Sequence, residues 1–149
     1  QRLWARRPPG ERRVTLLDTN IFIHLLKGNP IVSQWLQRQP RSALAIPAMV
    51  VYELEYGSLK ASFSTRRRTA LHRGMEDIQH VPFDTAAALA AANIRIELER
   101  HGNVIGPLDL LIAGTAVSRH ASLATTNAKE FSRIRNLPLI SLPHIAPGQ

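Results

Sequence analysis

The sequence predicts an α/β fold built on a parallel sheet. Two observations carry this: short apolar runs alternate with longer stretches of helical periodicity, and polar, Pro or Gly residues bound each run. No internal repeat competes with that pattern. A chain of 149 residues with 44% hydrophobic content is long enough to close one core and short for two, so it reads as a single domain.

The strand candidates are Val14 to Leu17, Ala43 to Ile46, His80 to Phe83, Leu123 to Thr125 and Leu139 to Leu142, each read as a buried strand. Between the first two lies a helical hairpin, Asn20 to Lys27 closing on Gly28 and then Ile31 to Arg38, with Trp35 and Leu36 on an apolar face. Pro47 opens a third helix carrying Val50, Val51, Leu54 and Gly57. An arginine-rich stretch from Thr65 to Gln79 reads as a fourth. Asp84 caps a longer helix from Thr85 to His101, ended by Gly102. Gly106-Pro107 then opens an apolar helix that reaches His120 and carries Asp109 in its first turn.

Composition narrows the chemistry. The absence of cysteine excludes disulfides, thiolate nucleophiles and Cys-ligated zinc, leaving oxygen or histidine as metal ligands. The six histidines (His24, His72, His80, His101, His120 and His144) show no paired ligand spacing and read as surface or helix-end residues. No stretch reaches the roughly 18–20 apolar residues of a membrane span. The first residues lack the apolar region of a signal peptide, and the expectation is a cytoplasmic protein.

The net charge of +8 points to a polyanionic partner, but half of it lies in residues 1–13, where Arg2, Arg6, Arg7, Arg12 and Arg13 face a single Glu11. With Pro8-Pro9-Gly10 this segment has nothing to pack. It reads as a basic tail, either disordered or translated upstream of a natural start at Val14, a residue whose GTG codon initiates in bacteria. The domain proper is then 14–149.

Three acids stand in apolar surroundings: Asp18 after Val14-Thr15-Leu16-Leu17, Glu53 within Val50-Val51-Tyr52-Glu53-Leu54, and Asp109 within Pro107-Leu108-Asp109-Leu110-Leu111. Buried carboxylates need partners. Apart from Arg13, no basic residue lies within five positions of any of them. Asp18 falls at the carboxyl end of a strand, where open α/β sheets place their ligands. Asp109, beside a helix N-terminus, is expected to be held ionised by the helix dipole. Carboxylates brought together repel one another without a cation, and a hard divalent ion such as Mg²⁺ or Mn²⁺ accepts oxygen ligands. A fourth position is Asn127, at the end of Leu123-Ala124-Thr125-Thr126-Asn127; taken singly, Asp18 and Asp109 also suit helix caps, Glu53 a solvated helical position and Asn127 a cap in a polar loop.

The phrases Leu17-Asp18-Thr19-Asn20, Tyr52-Glu53-Leu54-Glu55-Tyr56-Gly57, Ile105-Gly106-Pro107-Leu108-Asp109-Leu110-Leu111-Ile112-Ala113 and Thr126-Asn127-Ala128-Lys129-Glu130-Phe131 resemble, in order and spacing, the motifs of PIN-domain ribonuclease toxins of the VapC type. The resemblance covers nearly everything after Val14. It implies a three-layer α/β/α sandwich with a central, mainly parallel sheet of four to five strands. It further implies Mg²⁺- or Mn²⁺-dependent cleavage of RNA by a metal-activated water, a homodimer, and a cognate VapB-type antitoxin. Asp18, Glu53 and Asp109 take the metal-ligand places, with Asn127 ranked below them among the catalytic residues. Many members carry a fourth acid where this chain has Asn127, so the site is expected to hold three formal negative charges and to be dominated by one metal ion. Glu130 reads first as a solvated helix start, with a contribution of charge near the site as the alternative.

Thr19 and Thr125 are placed to hydrogen-bond the carboxylates or the phosphate. Arg66, Arg67, Arg68 and Arg73 are candidate phosphate contacts, or else a solvated helix face. Ile21, Phe22, Leu25, Leu26, Trp35 and Leu36 offer more apolar surface than a small sheet covers from one side, which suits either core packing or an antitoxin helix laid in a groove. A dehalogenase-like phosphatase needs an acid where this chain has Asn20, and a phospho-receiver domain needs an acidic pair and a late Lys-Pro; both patterns fail here. The remaining alternative is a PIN-like module that binds RNA or protein without cutting.

Overall fold

In the computed structural model, which describes residues 13–143, the sheet is assembled around a first strand with no exposed residue. β1 (Thr15–Leu17) pairs in parallel with β2 (Leu44–Pro47) on one side and β4 (Ser122–Thr125) on the other. Leu16 lies opposite Ala45 and Leu123. Strands flanked on both edges and covered on both faces have no need of alternation, hence the unbroken apolar runs. β3 (Gln79–Val81) and β5 (Leu139–Ser141) close the two edges, giving the all-parallel order β3-β2-β1-β4-β5.

All five expected strands form, but the edge strands are not buried as expected. Gln79 and His80 are exposed, and Leu139 and Ile140 only half-buried, because an edge strand has a neighbour on one side alone. The reading of residues 1–13 as a basic tail lies outside the described residues except for Arg13, as do His144 and the end of the chain.

The helices begin where capping chemistry starts them. α1 (Thr19–Leu26) takes Asp18 as its cap. α2 (Pro30–Arg38) follows Gly28, whose φ of +74° permits the tight reversal, and Asn29, whose side-chain oxygen accepts from Ile31 and Val32. α3 (Ala48–Lys60) starts after Pro47, and α4 (Thr65–Glu76) after Ser64. α4 stops short of the expected Gln79, which is claimed by β3. α5 (Thr85–Arg100) is capped by Asp84, and α6 (Pro107–Ser118) opens on Pro107. The short α7 (Ala128–Phe131) was legible only as a possible cap at Asn127. The seven α-helices among the described residues flank the sheet as an α/β/α sandwich.

Of the apolar residues crowding α1 and α2, Ile21 and Phe22 enter the core, while Leu25, Trp35 and Leu36 are half-buried against it and Leu26 is exposed. α6 is buried at Leu110 and from Ile112 through Ala116, an internal helix with no solvated stripe. It lies directly on α5: a Cβ added at Gly114 would sit 2.7 Å from the Ala87 carbonyl oxygen and 2.7 Å from the Ala91 Cβ. Gly114→Ala should therefore force α5 and α6 apart and destabilise the fold by about 1–3 kcal/mol. Gly74, helical and with open space around it, provides the contrast, since Gly74→Ala should stabilise by up to about 1 kcal/mol. Urea denaturation midpoints of the two variants check both signs.

Candidate active site

The chain runs from β1 outward to β2 and β3, then crosses back to β4 and β5, so β1 and β4 border the point where the winding reverses. Side chains at the carboxyl ends of these two strands face a common crevice. Asp18 is the first residue beyond β1, and its own N–H donates to the Ala124 carbonyl of β4 at 3.0 Å. The residue is 4% exposed; one carboxylate oxygen accepts from the Thr19 N–H at 2.8 Å, the other from the Thr125 hydroxyl at 2.7 Å. Thr125 closes β4 and is fully buried. The Thr19 hydroxyl then donates to Glu53 on α3 at 2.7 Å. Both threonines thus hydrogen-bond the acids as the sequence suggested.

Asp109 reaches the same cluster from the first turn of α6. No donor among the described residues reaches its carboxylate, and its pKa is pushed up to about 7, by burial first and then by the charges of Asp18, Glu130 and Glu53. The expected stabilisation of its ionised form by the helix dipole is thus overturned: a terminal dipole acts as about half a charge, and here burial and three nearby acids oppose it. Burial also raises the pKa of Asp18, against the hydrogen bonds from Thr125 and Thr19, with a further push from Glu130. In Glu53 burial and the Asp18 charge raise it while the Thr19 hydroxyl lowers it. The three predicted acids therefore meet electrostatically.

Glu130, read as a solvated helix start, is instead half-buried beside them. One of its oxygens accepts from the Gly106 N–H at 3.2 Å, the other from the Asn127 side-chain amide at 2.7 Å. The cluster accordingly holds four carboxylates, not three. Asn127 spends its amide on orienting Glu130, and its own N–H donates to the Thr125 hydroxyl at 2.9 Å. The available signal was the spacing of Asn127 and Glu130, three apart at the start of a short helix, the distance at which a cap side chain and an acid meet.

The donors here are all oxygens of the kind hard divalent ions take. Among the described residues no group of three His, Cys, Asp or Glu side chains is arranged to hold an ion directly. The set fits an ion that keeps much of its water and takes one or two carboxylates, the habit of Mg²⁺. The Thr126 hydroxyl, beside Thr125, is buried without a partner among the described residues.

Of the candidate phosphate contacts on α4, Arg68 is paired with Glu55, and Arg66, Arg67 and Arg73 are exposed. His24 lies at a helix end as expected but is buried. Among the described residues, no helix is long and apolar enough to cross a membrane.

Comparison with known proteins agrees with this geometry. The PIN domain family model matches residues 15–137. The tRNA(fMet)-specific endonuclease VapC of Shigella flexneri is 34% identical over 82% of this chain and 92% of its own length. Ribonuclease VapC2 of Rickettsia felis is 32% identical over 85% of this chain and 96% of its own. Among solved structures, VapBC2 of R. felis bound to a promoter DNA fragment superposes with a TM-score of 0.81 at 31% identity, over 87% of this chain and 98% of that one. DNA-bound VapBC of Salmonella typhimurium gives 0.78, also at 31% identity and with the same coverage.

The raised Asp109 pKa has a thermodynamic sign. Without metal, the native state holds a proton between about pH 4 and 7 that the unfolded chain has released, so stability should rise as pH falls from 8 toward 5. Asp18 and Glu53 act in the same direction. Urea midpoints in EDTA across this range should show the slope, and Asp109→Asn should flatten it; an unchanged slope in the variant would place the titration elsewhere.

Proposed function

The chain belongs to the PIN-domain family and to its VapC-type ribonucleases, the toxins of VapBC toxin–antitoxin systems, and from that premise we propose that it is a Mg²⁺- or Mn²⁺-dependent endoribonuclease acting through Asp18, Glu53 and Asp109. Asp109 carries the reading: a half-buried carboxylate without a donor among the described residues, beside three other acids, calls for a cation. In this reading Asp18, Asp109 and Glu53 hold the ion together, one or two of them directly and the rest through its bound water. A divalent ion held there supplies a Lewis acid for the phosphodiester and the means to ionise a water near neutral pH.

The protein's own contribution is orientation. Thr125 and the Thr19 N–H hold the Asp18 carboxylate from two sides, so that it presents its remaining lone pairs in one direction. Thr19 holds Glu53 in turn, and Asn127 with the Gly106 N–H holds Glu130. No side-chain nucleophile is required. Asn127 belongs to the catalytic set through Glu130, as a positioning residue. The S. flexneri relative is named as specific for tRNA(fMet), which makes tRNA the first substrate to test and ribosomal RNA the second. The VapBC structures it superposes on make a VapB-type antitoxin its regulator.

Incubating the purified protein with total tRNA and rRNA should give discrete cuts in Mg²⁺ or Mn²⁺ and none in EDTA, and Asp18→Ala and Asp109→Asn should abolish them. Cleavage that survives EDTA or both substitutions would overturn the metal mechanism. An intact RNA with an antitoxin still bound would establish a binding module instead. Thr125→Val is subtler. It should lower metal affinity or turnover about 10- to 100-fold and cost about 1–3 kcal/mol of stability by leaving a buried oxygen of Asp18 unpaired.

A further inference from the structure

The right-handed crossovers of a parallel sheet put α1 to α4, which lead outward from β1 to β3, on one face, and α5 and α6, which bring the chain back to β4, on the other. On that second face α5 forms one wall of a groove of about 510 Å³. Ala86, Leu89, Ile94 and Leu98 line it along about 18 Å of helix, with Val117 and Ile134 also in its lining. Past Val117, His120, Ile134 and Asn136 it continues into a second recess that reaches Arg13. At the other end Leu98 shares a smaller recess of about 270 Å³ with Val104 and Pro107. Leu89, Ile96 and Val104 leave 54%, 45% and 63% of their surface exposed along this stretch.

Three exposed cations rim the apolar floor, Arg13, Arg133 and Arg135. None has an acidic partner among the described residues, and Arg133 donates to the Val104 carbonyl at 3.3 Å. The groove's own acid, Glu97, lies 3.9 Å from Arg100. A second copy of the chain has little to offer these arginines. Of the acids among the described residues, Glu55, Asp77, Asp84, Glu97 and Glu99 are ion-paired, and Asp18, Glu53, Asp109 and Glu130 form the site. That leaves Glu76, on α4 across the sheet. A polynucleotide would meet the arginines with phosphates, but no Phe, Tyr or Trp lines the groove to stack its bases. An aliphatic floor beside unpaired cations matches a helix with an aliphatic stripe and acidic flanks, laid along α5.

We propose that this groove docks an acidic amphipathic helix of a second protein, its aliphatic stripe on Leu89, Ile94 and Val117 and its carboxylates on Arg13, Arg133 and Arg135. The surface is separate from the α1–α2 hairpin, whose apolar residues suit an antitoxin helix, and the inference does not depend on the ribonuclease reading.

The test uses the full chain in EDTA and three labelled synthetic peptides of about 20 residues, long enough to span the groove as a helix. One has leucine at helical spacing and glutamate elsewhere, one has the same residues in scattered order, and one has lysine for every glutamate. Fluorescence anisotropy gives dissociation constants for the native chain, Arg133→Glu/Arg135→Glu, Leu89→Asp and Lys27→Glu/Arg38→Glu, the last an equal charge change at exposed residues on the opposite face. Thermal melting and light scattering report folding and oligomeric state. The acidic amphipathic peptide should bind the native chain about tenfold or more tighter than the other two. Arg133→Glu/Arg135→Glu and Leu89→Asp should each weaken it about tenfold or more, the control pair less than about threefold, and Arg133→Glu/Arg135→Glu should gain affinity for the lysine peptide. Equally tight binding of the scattered peptide, equal weakening in the control pair, or no saturable binding would overturn the proposal. So would an unpaired oligo(A) bound more tightly than the peptide through Arg133 and Arg135, which would make the groove a nucleic-acid surface, or a dimer that Arg133→Glu/Arg135→Glu converts to monomer, which would make it a contact between copies.

Discussion

The bond from the Thr125 hydroxyl to Asp18 spans the two strands at which the chain reverses its winding, and the rest of the site is organised from it. Asp18 follows β1, caps α1 and donates its own N–H to β4. With only 4% of its surface exposed, it has little water to solvate a charge and depends on the donors given to it. Thr125 comes from one strand and the Thr19 N–H from the following helix, and the Thr19 hydroxyl passes the arrangement on to Glu53. The line Thr125, Asp18, Thr19, Glu53 therefore ties β4, β1, α1 and α3 at one end of the sheet. A shift in any of these elements moves an acid.

Acids gathered in this way oppose folding, and their positions hold because the elements behind them cannot relax. Asp109 would escape its neighbours if α6 tilted. That helix is enclosed on nearly every side, however, and its contact with α5 at Gly114 is too close to admit even a methyl group. Core packing thus keeps Asp109 in place, and burial first and the neighbouring charges second raise its pKa instead of displacing the side chain. The same repulsion is what gives a bound cation its differential affinity for the folded state.

The sheet was legible because each strand is a short apolar run with polar or Pro boundaries, and the cap at Asp84 announced the helix that follows it, whereas the cap at Asn29 went unread. Edge position was not legible, since it depends on strand order; His80 looked like part of a buried run and is exposed. Asp18 and Asp109 could be picked out as acids in apolar company, and Glu53 needed the family pattern because one helical position resembles another. The ionisation of Asp109 was misjudged for a definite reason. The helix dipole is encoded by neighbours in sequence, whereas the opposing charges come from Asp18, Glu53 and Glu130, which lie 91, 56 and 21 positions away in the chain.

Glu130 shows the same limit in its sharpest form. As a residue it is an ordinary acid in the first turn of a short helix, and only the fold of α7 back onto the Gly106 N–H draws it into the cluster. Asn127 then acquires a meaning different from that of a missing acid. A neutral amide at that place donates a hydrogen bond, which a carboxylate cannot, and the bond it donates holds Glu130. The fourth charge of this cluster therefore stands three residues beyond the amide, on Glu130. The argument for a single metal ion, which followed from three charges, loses its premise. What decides the number of ions is whether Glu130, already accepting two hydrogen bonds, can also serve a cation. Each of its oxygens accepts a single hydrogen bond and keeps a further lone pair, as in Asp18, so Asn127 and the Gly106 N–H orient Glu130 without withdrawing it from a cation, and a count of three charges no longer selects one ion.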